Sequence, residues 1–425
     1  MSAVEAKDFL GLLPTSSQIE RDGELTVGGC RLSDLAKEFG TPLWVIDESN
    51  LRSQAQRFNG TLQALWPKSR AVFASKAYPC TAVYEVMAQE GLGVDVAGGG
   101  ELALALKGGV DPALMVQHGN AKTEAELSMA VSAGVGTIVI DNFDDIDRLE
   151  RIVSDEQGVL IRVVPGVRGD THDAISTGQE GSKFGLHRAD AERAIARLNN
   201  SDRLRLDGLH MHIGSQILET EPFEAAVEAL ASFGEFDVYD LGGGLGVRYT
   251  YGDHPPTPEE WVGALVSAAK KFLPHHARLL IEPGRAMVAQ SGITLYRVTT
   301  IKHGTPTFVG VDGGMADNLD VSLYGQRFEA AVVNRVAGHD VVDLVGRHCE
   351  SGDRLIEGIS LNAPVVGDVV VVAATGAYTY TMQNNYNGAL KPAVVFVSDG
   401  QAHLRVRRET YDDFFLRDVA SAVRK

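Results

Sequence analysis

The sequence predicts a two-part α/β protein, a closed (β/α)8 barrel followed by a C-terminal domain built mainly of β-strands. Two observations carry this prediction. Eight short apolar or β-branched runs alternate with amphipathic helical stretches, and from about residue 293 that helical rhythm gives way to strand-like runs separated by Gly, Asp and Asn. We therefore predict a barrel over residues 46–292 and a β-sandwich or β-barrel domain over residues 293–425, with an N-terminal segment, residues 1–45, packed on the β domain.

The eight predicted barrel strands are AVFAS (71–75), GVDVA (93–97), LMVQH (114–118), TIVID (137–141), LIRVV (160–164), LHMHI (209–213), FDVYDL (236–241) and LLIEP (279–283). Stretches such as AKTEAELSMAVSAG and PFEAAVEALASFG lie between them and place apolar residues at helical spacing. Eight strands with intervening helices fit a closed barrel better than an open sheet.

The second part has a different pattern, with strands separated by turn residues rather than by helices. Its predicted strands are ITLYRVTTI, TFVGVDGG, AAVVNRV, VVDLVG, DVVVVAA, AVVFVS and HLRVRR, and the strand-like N-terminal segment ELTVGGCRLSDL is predicted to join them.

Composition narrows the classes of partner. A net charge of −17 argues against a nucleic acid or an anionic membrane surface as the main binding partner, because phosphate binding needs a basic surface. Three cysteines form no paired framework, and no apolar run approaches the roughly 18 residues that would cross a membrane. The first residues resemble no signal peptide, so we expect a cytoplasmic location.

Polar residues gather at the predicted ends of the barrel strands, which is where this fold places its active sites. In chain order they are Lys76, Asp95, His118, His210, His212, Gly242, Gly243, Gly244, Glu282 and Arg285. Glycines after a strand let backbone N–H groups approach an anion, and Arg285 in the next loop adds a charged donor, so we predict a phosphate site there. The alternative is a plain tight turn.

The lysine and the carboxylate complete the set of groups that a pyridoxal phosphate enzyme needs. Lys76 follows an apolar strand, where partial desolvation would free its amine to attack a carbonyl, although a lysine extending into solvent is the alternative. Glu282 can keep a pyridine nitrogen protonated, with a buried ion pair to Arg285 as the alternative. A metal-dependent hydrolase using His210 and His212 would leave Lys76 and the glycines unused; we expect no resident metal.

Ordered motifs along nearly the whole chain are similar to those of the fold-type III pyridoxal phosphate decarboxylases, and within them of the diaminopimelate decarboxylases. They are FASKAY, DVAGGGEL, HGNAK, THDAISTGQEGSKFGL, GLHMHIGSQ, DLGGGLG, EPGR, VDGGMADN, LYG, HCESGD and GAY. The resemblance implies pyridoxal 5'-phosphate as cofactor, a small amino acid as substrate, and a homodimer in which HCESGD reaches the active site of the other subunit. Loop 170–188 is expected to close over the site.

The resemblance also implies roles for single residues. Lys76 resembles the Schiff-base lysine, His212 the histidine stacked on the cofactor ring, and Cys349 the proton donor. The cofactor-binding set it implies is Lys76, Asp95, His212, Ser215, Gly242, Gly243, Gly244, Glu282, Gly284, Arg285 and Tyr378. The substrate-binding set is Arg285, Asp320, Tyr324, Glu350 and Tyr378.

One position departs from the diaminopimelate decarboxylase pattern. Four residues before Tyr324, where the family usually carries an arginine that helps hold the distal carboxylate of the substrate, this chain has Asp320. The carboxylate of Asp320 would repel the distal carboxylate of the substrate, whereas an arginine would pair with it. We therefore predict decarboxylation of meso-diaminopimelate to L-lysine. The alternative is a substrate with a distal cation, such as ornithine or lysine, or a modified amino acid of a specialised pathway. Asp320 facing solvent, or compensation by Arg327, would remove the conflict.

Two further classes are less consistent with the sequence. A binding-only relative would be expected to lose Lys76 or Cys349, and both are present. An amino-acid racemase shares the barrel-plus-β plan, as alanine racemase does, but it usually places an arginine at the pyridine nitrogen, where this chain offers Glu282.

Overall fold

The structure is a computed structural model that describes residues 6–166 and 182–419. The chain divides into two compact units. The β unit comprises Met1–Ser49, Tyr249–Tyr251 and Ser291–Lys425, and the barrel unit comprises Asn50–Arg248 and Gly252–Gln290. Most of the predicted closing loop, 170–188, lies outside the described residues.

The chain begins in the β unit with short elements. They are helices α1 (Ala6–Leu10) and α2 (Leu32–Phe39) and strands β1 (Gln18–Ile19), β2 (Leu25–Val27), β3 (Cys30–Arg31) and β4 (Leu43–Asp47). The segment ELTVGGCRLSDL, predicted as a strand, therefore forms two short strands and the start of α2. β4 was not predicted, and it spans the predicted boundary between residues 45 and 46.

The barrel unit contains eight parallel strands in the part of the chain described. They are β5 (Ser69–Ala74), β6 (Gly93–Val96), β7 (Met115–Gln117), β8 (Thr137–Ile140), β9 (Gln157–Arg162), β10 (Leu204–His210), β11 (Val238–Asp240) and β12 (Arg278–Ile281). The helices are α3 (Glu48–Leu65), α4 (Thr81–Gln89), α5 (Gly99–Lys107), α6 (Glu124–Ala133), α7 (Phe143–Ile152), α8 (Arg188–Leu198), α9 (Glu221–Ala231), α10 (Pro258–Phe272) and α11 (Arg285–Val288). The strands close in sequence order, with β12 beside β5. The predicted barrel and its eight strands are confirmed.

The barrel axis is filled by branched apolar side chains, one from each of several strands. Val72, Val116, Val139, Leu160 and Leu280 form this buried cluster. The strands also approach closely enough to exclude side chains at one position: a Cβ on Gly208 would lie 1.7 Å from the carbonyl oxygen of Val238. The barrel is therefore a packed core, and chemistry is confined to its ends.

The β unit continues after the barrel with a mixed sheet. Its elements are β13 (Gly292–Lys302), β14 (Phe308–Val311), α12 (Leu319–Tyr324), β15 (Ala330–Val332), β16 (Asp340–Val345), β17 (Arg354–Leu361), β18 (Val369–Val372), β19 (Ala393–Ser398), β20 (Gln401–Val406) and α13 (Tyr411–Phe415). The strand order is β17-β16-β14-β13-β4-β19-β20, with β18 joining β13 to β15. The predicted β domain is thus a nine-stranded sheet, and β17 is an addition to the prediction.

A buried ion pair stabilises the barrel unit at the C-terminal ends of its strands, where the loop after β7 meets the start of α7. Lys122 Nζ lies 2.7 Å from Asp145 Oδ2, and the two side chains are 1% and 0% exposed. Lys122 also donates to the carbonyl oxygen of Val139 at 2.9 Å and to that of Gly119 at 2.5 Å. All donors of the ammonium group are therefore satisfied in a site without water access.

Lys122→Met is expected to lower the free energy of unfolding by about 3–5 kcal/mol, because it leaves the Asp145 carboxylate buried without its cation. Urea unfolding followed by far-UV circular dichroism measures this change. Lys107→Met, at an exposed lysine, is the matched control and should change the unfolding midpoint little. Equal midpoints for the two variants would show that the pair contributes no net stability.

Candidate functional site

The polar residues singled out in the barrel lie at the C-terminal ends of its strands, which we call the catalytic rim. Lys76 follows β5, Asp95 lies in β6, His118 follows β7, His210 ends β10, and Glu282 follows β12. Parallel strands carry these ends to the same face of a barrel. The sequence therefore placed these groups at one end of the barrel correctly.

Glu282 is the centre of a buried cluster at this rim. Its Oε1 lies 2.6 Å from His118 Nε2, and its Oε2 lies 3.1 Å from His210 Nε2. Burial alone would raise the pKa of Glu282, but the two histidines outweigh it and hold the pKa well below its usual range. The cluster therefore keeps an ionised carboxylate inside the barrel. The alternative of an ion pair with Arg285 is wrong, since both oxygens face histidines.

His210 is the neutral partner in this cluster. It is almost fully buried, and burial lowers its pKa to about 4. A neutral imidazole that donates from Nε2 to Glu282 has an unprotonated Nδ1, and His210 Nδ1 is buried with no hydrogen-bond partner among the described residues. The unpartnered Nδ1 therefore agrees with a neutral His210 that carries its proton on Nε2 and donates it to Glu282.

A second carboxyl, Asp240, lies against the same cluster. One of its oxygens is within 4.8 Å of ligand atoms of His118, His210 and Glu282, and its Oδ1 accepts the Gly242 N–H at 3.0 Å. Two buried carboxyls this close do not both ionise. Burial, and then the charge of Glu282, raise the pKa of Asp240 well above its ordinary value, so Asp240 is the protonated member.

Asp95 adds a third carboxyl whose ionisation is finely balanced. It is 4% exposed and its Oδ1 accepts the N–H of Ser75, the residue before Lys76, at 3.1 Å. Burial and the charge of Glu282 raise the pKa of Asp95 to about 7. Asp95 therefore holds the loop that carries Lys76 and titrates near neutral pH.

Lys76 lies in a single 3-10 turn, Ser75–Ala77, at the end of β5, and its side chain is exposed. The partial burial expected from the apolar strand is wrong, because the side chain leaves the strand at the open rim. The charge of Lys76 nevertheless acts on its neighbours, since it lowers the pKa of both Asp95 and His212.

His212 lies beyond the end of β10, not in the strand as predicted. The argument that His210 and His212 share one strand face therefore fails. Burial lowers the pKa of His212 well below 6.5, with the charge of Lys76 as the next cause, so the ring is neutral. Its Nδ1 accepts the Gly243 N–H at 3.3 Å, which links the histidine to the glycine loop.

The glycine loop, Gly242–Gly244, leaves no room for side chains. A Cβ would lie 2.2 Å from the Met211 carbonyl oxygen at position 242, 2.1 Å from that of Glu282 at 243 and 2.7 Å from that of Gly214 at 244. Gly242 and Gly244 also have φ of 67° and 123°, which glycine adopts without strain. The loop is thus a bare backbone surface packed between the loops that follow β10 and β12.

Arg285 provides the cation beside that backbone surface. Its side chain is buried, and its Nε donates to Ser215 Oγ at 3.2 Å. Gly284 lets this loop pack on β5, since a Cβ there would lie 2.8 Å from the Cβ of Ala74. A fixed guanidinium, a hydroxyl and a glycine loop at one rim can bind a phosphate group.

The other predicted site residues belong to the β unit, where one carboxylate organises two motifs. Asp353 accepts from the Met315 N–H through Oδ1 and from the His348 N–H through Oδ2, both at 2.7 Å. It therefore joins the VDGGMADN loop to the HCESGD loop. Cys349 is exposed, and its N–H donates to Asn387 Oδ1 at 2.9 Å. Glu350 accepts from the Tyr386 hydroxyl.

The three remaining substrate-binding candidates differ in exposure. Tyr324 and Tyr378 are half-buried, and Tyr378 has a φ of 67°, a strained value for a residue with a side chain. Asp320 is 1% exposed in α12, so the alternative that it faces solvent is wrong. Arg327 is exposed.

Comparison with known proteins identifies the family. Residues 48–289 match the family model described as the pyridoxal-binding domain of pyridoxal-dependent decarboxylases. This chain belongs to the pyridoxal-dependent decarboxylases. Over 96% of its length it is 43% identical to the diaminopimelate decarboxylase of Actinosynnema pretiosum subsp. auranticum, covering 95% of that protein. It is also 42% identical to the Bacillus subtilis (strain 168) diaminopimelate decarboxylase, over 95% of this chain and 97% of that one.

Solved structures agree with the sequence relatives. This decarboxylase superposes on a crystal structure of M. jannaschii diaminopimelate decarboxylase in complex with L-lysine with a TM-score of 0.89 and 29% identity, covering 96% of this chain and 98% of that chain. The predicted family, fold and cofactor are confirmed. No helix in residues 6–166 and 182–419 is both long and apolar enough to cross a membrane.

The residues of this decarboxylase fit pyridoxal 5'-phosphate on structural grounds. The buried, ionised Glu282 offers a negative partner for a pyridine nitrogen, and a glycine loop that excludes every Cβ, with the buried Arg285 beside it, offers a phosphate cradle. Lys76 supplies an amine at the same rim. His118, His210, Asp240 and Glu282 are also arranged as a metal site would be, a different set from the histidine pair considered in the sequence. Family membership excludes the hydrolase interpretation.

Sequence reasoning missed three functional neighbours in this decarboxylase. Asp240, which faces Glu282, lies two residues before Gly242. Its position as a carboxyl residue within an apolar strand could have indicated a functional role. Asp353 was hidden within HCESGD because only Cys349 and Glu350 were assigned roles. The contact of Tyr386 with Glu350 joins residues 36 apart and left no local signal.

Asp240→Asn is expected to keep the affinity for the cofactor within about threefold, whereas Asp240→Ala should weaken it about tenfold, because only alanine leaves the buried Gly242 N–H without an acceptor. Fluorescence titration of the apoenzyme with pyridoxal phosphate measures both affinities.

The raised pKa of Asp240 adds a test of stability against pH. The folded wild type must hold a proton that the unfolded chain releases above about pH 3.8, so the stability of Asp240→Asn relative to wild type should increase as pH rises. A tenfold loss of cofactor affinity in Asp240→Asn would mean that Asp240 acts as an anion.

Proposed function

We propose that this decarboxylase converts meso-diaminopimelate to L-lysine and carbon dioxide. The observation that carries the reaction type is the buried, ionised Glu282 at the rim that also holds Lys76. A negative partner keeps a pyridine nitrogen protonated, which suits loss of a carboxyl group, whereas a racemase is expected to have an arginine there. The substrate comes from the full-length relatives, which are diaminopimelate decarboxylases.

In this proposal each rim residue has one task. Lys76 would hold the cofactor through its amine, at the rim where the substrate amine would exchange with it. Glu282, fixed by His118 and His210, would hold the proton at the ring nitrogen. When bound, the cofactor supplies a ring that accepts the electron pair of the broken Cα–carboxylate bond. The neutral His212 would pack against the ring face, and Asp95 positions the loop of Lys76.

The remaining cofactor contacts in the proposal hold the phosphate group. Ser215 and Arg285 would donate to it beside the glycine loop, with Gly284 setting the position of Arg285. Tyr378 would add a hydroxyl. These contacts bind and orient; they carry no proton in the reaction.

We assign the proton transfer that ends the reaction to Cys349, with the cysteine coming from a second copy of the chain in a homodimer. Cys349 is exposed, as a residue acting on another chain would have to be. Glu350, oriented by Tyr386, would bind the distal amino group of the substrate, and Tyr324 and Tyr378 would line the same pocket. We place the enzyme in the cytoplasm, where its amino-acid substrate is available.

Mixing two inactive variants tests the shared site. Lys76→Ala and Cys349→Ala place their defects in different parts of one shared site, so refolded or co-expressed mixtures should form one intact site per mixed dimer. Activity should return to about one quarter of wild type in an equal mixture. Mass measurement in solution checks the dimer. No recovery, with mixed dimers present, would place Cys349 and Lys76 of the same chain in one site.

The substrate is tested by carbon dioxide release from the cofactor-loaded enzyme on meso-diaminopimelate, L-lysine, L-ornithine, L-arginine and D-lysine. Turnover of meso-diaminopimelate alone is the expected result. Asp320 favours the second candidate, a substrate with a distal cation, because a buried carboxylate stands where the family usually has an arginine. Turnover of ornithine or lysine, with none of meso-diaminopimelate, would establish that candidate.

Asp320→Arg separates the two candidates further. If Asp320 contributes to the distal pocket, the arginine should change the ratio of kcat/KM for meso-diaminopimelate to that for L-ornithine by about tenfold or more in favour of meso-diaminopimelate. Asp320→Asn is the matched control, since it removes the charge and retains the volume. An unchanged ratio in both variants would show that position 320 does not set specificity.

A further inference from the structure

The barrel has a second polar concavity at the end opposite the catalytic rim. The N-terminal ends of the strands surround a cavity of about 710 Å³. Its floor is apolar and is formed by Val72, Val116 and Leu280. Its wall carries the cationic side chains of Lys68, Arg70 and Arg278.

Strand periodicity explains why two arginines meet there. Side chains two residues apart on a strand face the same side, and Val72 and Leu280 belong to the cluster on the barrel axis. Arg70 on β5 and Arg278 on β12 therefore face the axis one layer lower. β5 and β12 are neighbours, with Arg70 paired in register with Leu280. The two guanidinium groups thus enter the same opening from adjacent strands.

The neighbouring strand packs closely beside Arg70. β6 begins at Gly93, where a Cβ would lie 2.5 Å from the Leu114 carbonyl oxygen and 3.6 Å from Arg70 Cδ. The backbone just before β7 therefore approaches β6 with no room for a side chain, and Gly93 keeps one away from the Arg70 side chain.

The positive charge in this cavity is poorly balanced. Among the described residues neither Arg70 nor Arg278 has a carboxylate within ion-pair distance, and Arg70 Nε is buried without a hydrogen-bond partner. Asp237 also lines the cavity, and its carboxylate lies 3.6 Å from His276 Nε2. Asp111 acts on Arg70 only from a distance.

Electrostatics of the pair agree with the geometry. Burial, and next the charge of Arg278, lower the pKa of Arg70, while Asp111 raises it less. Two cations that repel each other in a concavity are unfavourable unless an anion lies between them. A plain solvent-facing arginine would not have a buried, unpartnered Nε. The positive patch is also unusual in a chain of net charge −17.

We propose that the N-terminal opening of the barrel binds a small dianion or polyanion, of the phosphate or polycarboxylate type, between Arg70 and Arg278. Guanidinium groups bind the paired oxygens of both kinds of anion through two parallel hydrogen bonds. Lys68, whose Nζ also donates to the His276 carbonyl oxygen at 3.3 Å, adds charge at the edge. This site is independent of the cofactor site, because the packed barrel core separates the two ends.

Isothermal titration of the holoenzyme with inorganic phosphate, and separately with citrate, tests the proposal at constant ionic strength. The holoenzyme is used because its cofactor already occupies the phosphate cradle at the catalytic rim. We expect one site per chain for at least one probe, and at least roughly tenfold weaker binding in Arg70→Met, which loses a charged hydrogen-bond donor. Phosphate alone, or citrate alone, would identify the type of anion.

Controls make the outcome decisive. Arg193→Met, on the outer surface of α8, should bind the probe as wild type does. Arg278→Met, at an exposed side chain, provides the second loss-of-binding variant should Arg70→Met fold poorly. Decarboxylation by both cavity variants should stay at the wild-type rate. Absence of binding for both probes, or equal binding by wild type, Arg278→Met and Arg193→Met, would overturn the proposal.

Discussion

Lys76→Ala should lower the rate of decarboxylation by about 10⁴-fold, the largest loss expected for any single substitution in this chain. Alanine removes the amine that is proposed to hold the cofactor covalently and to exchange it with the substrate. Because Lys76 is exposed at the end of β5, its loss creates no cavity, and the fold should be unchanged. The loss of rate should therefore occur without a change in thermal stability of the apoenzyme.

Borohydride reduction followed by peptide mass mapping gives a readout other than rate. In the wild type the reduced cofactor should add its mass to the peptide that contains Lys76, and in Lys76→Ala no lysine should be labelled. Lys107→Ala, at an exposed lysine on α5, should retain both the label and the rate. Labelling of another lysine in the wild type would show that the cofactor is attached to that lysine and not to Lys76.

Glu282→Gln should lower kcat by about 10²–10³-fold, the range expected when one preorganised charge is removed from a reacting centre. Glutamine keeps the size of the side chain and can still contact His118 and His210, so the change is mainly one of charge. The substitution removes the carboxylate that the two histidines keep ionised in a buried site. The electron pair left by the carboxyl group then has a poorer acceptor.

Steady-state kinetics together with the visible absorbance of the bound cofactor measure the effect of Glu282→Gln. A changed absorbance maximum with cofactor still bound would show that the ring environment, and not binding alone, is altered. Glu228→Gln, at an exposed glutamate on α9, is the matched control. A kcat within about threefold of wild type in Glu282→Gln would remove Glu282 from the reaction.

Much of the barrel and its rim could be predicted from the sequence. Runs such as AVFAS and TIVID are short, apolar and separated by helical spacing, and buried parallel strands have that pattern. Once the strands are located, topology alone brings Lys76, Asp95 and Glu282 to one end, although they are far apart in the chain. The motif of three glycines after β11 likewise predicted a backbone free of side chains at this rim, and the structure shows that neighbouring loops leave no room for them.

The parts that could not be predicted depend on tertiary contacts. The pairing of Glu282 with His118 and His210 joins three strands, and no spacing in the sequence distinguishes it from a pair with Arg285. β17 was missed because Gly358, with a φ of 66°, and two register shifts against β16 interrupt the period of two. β4 was missed although its five residues are all buried and form the same kind of apolar run as the predicted strand β6.

The position of β4 has a consequence for synthesis of the chain. Ile46 pairs with Gly292, so the barrel is inserted between two adjacent strands of one sheet. During synthesis the whole barrel segment leaves the ribosome before β13 does, so β4 lacks its partner strand β13 until then. The barrel can fold during that interval and bring the two strands together, which lowers the entropy cost of closing so long a loop.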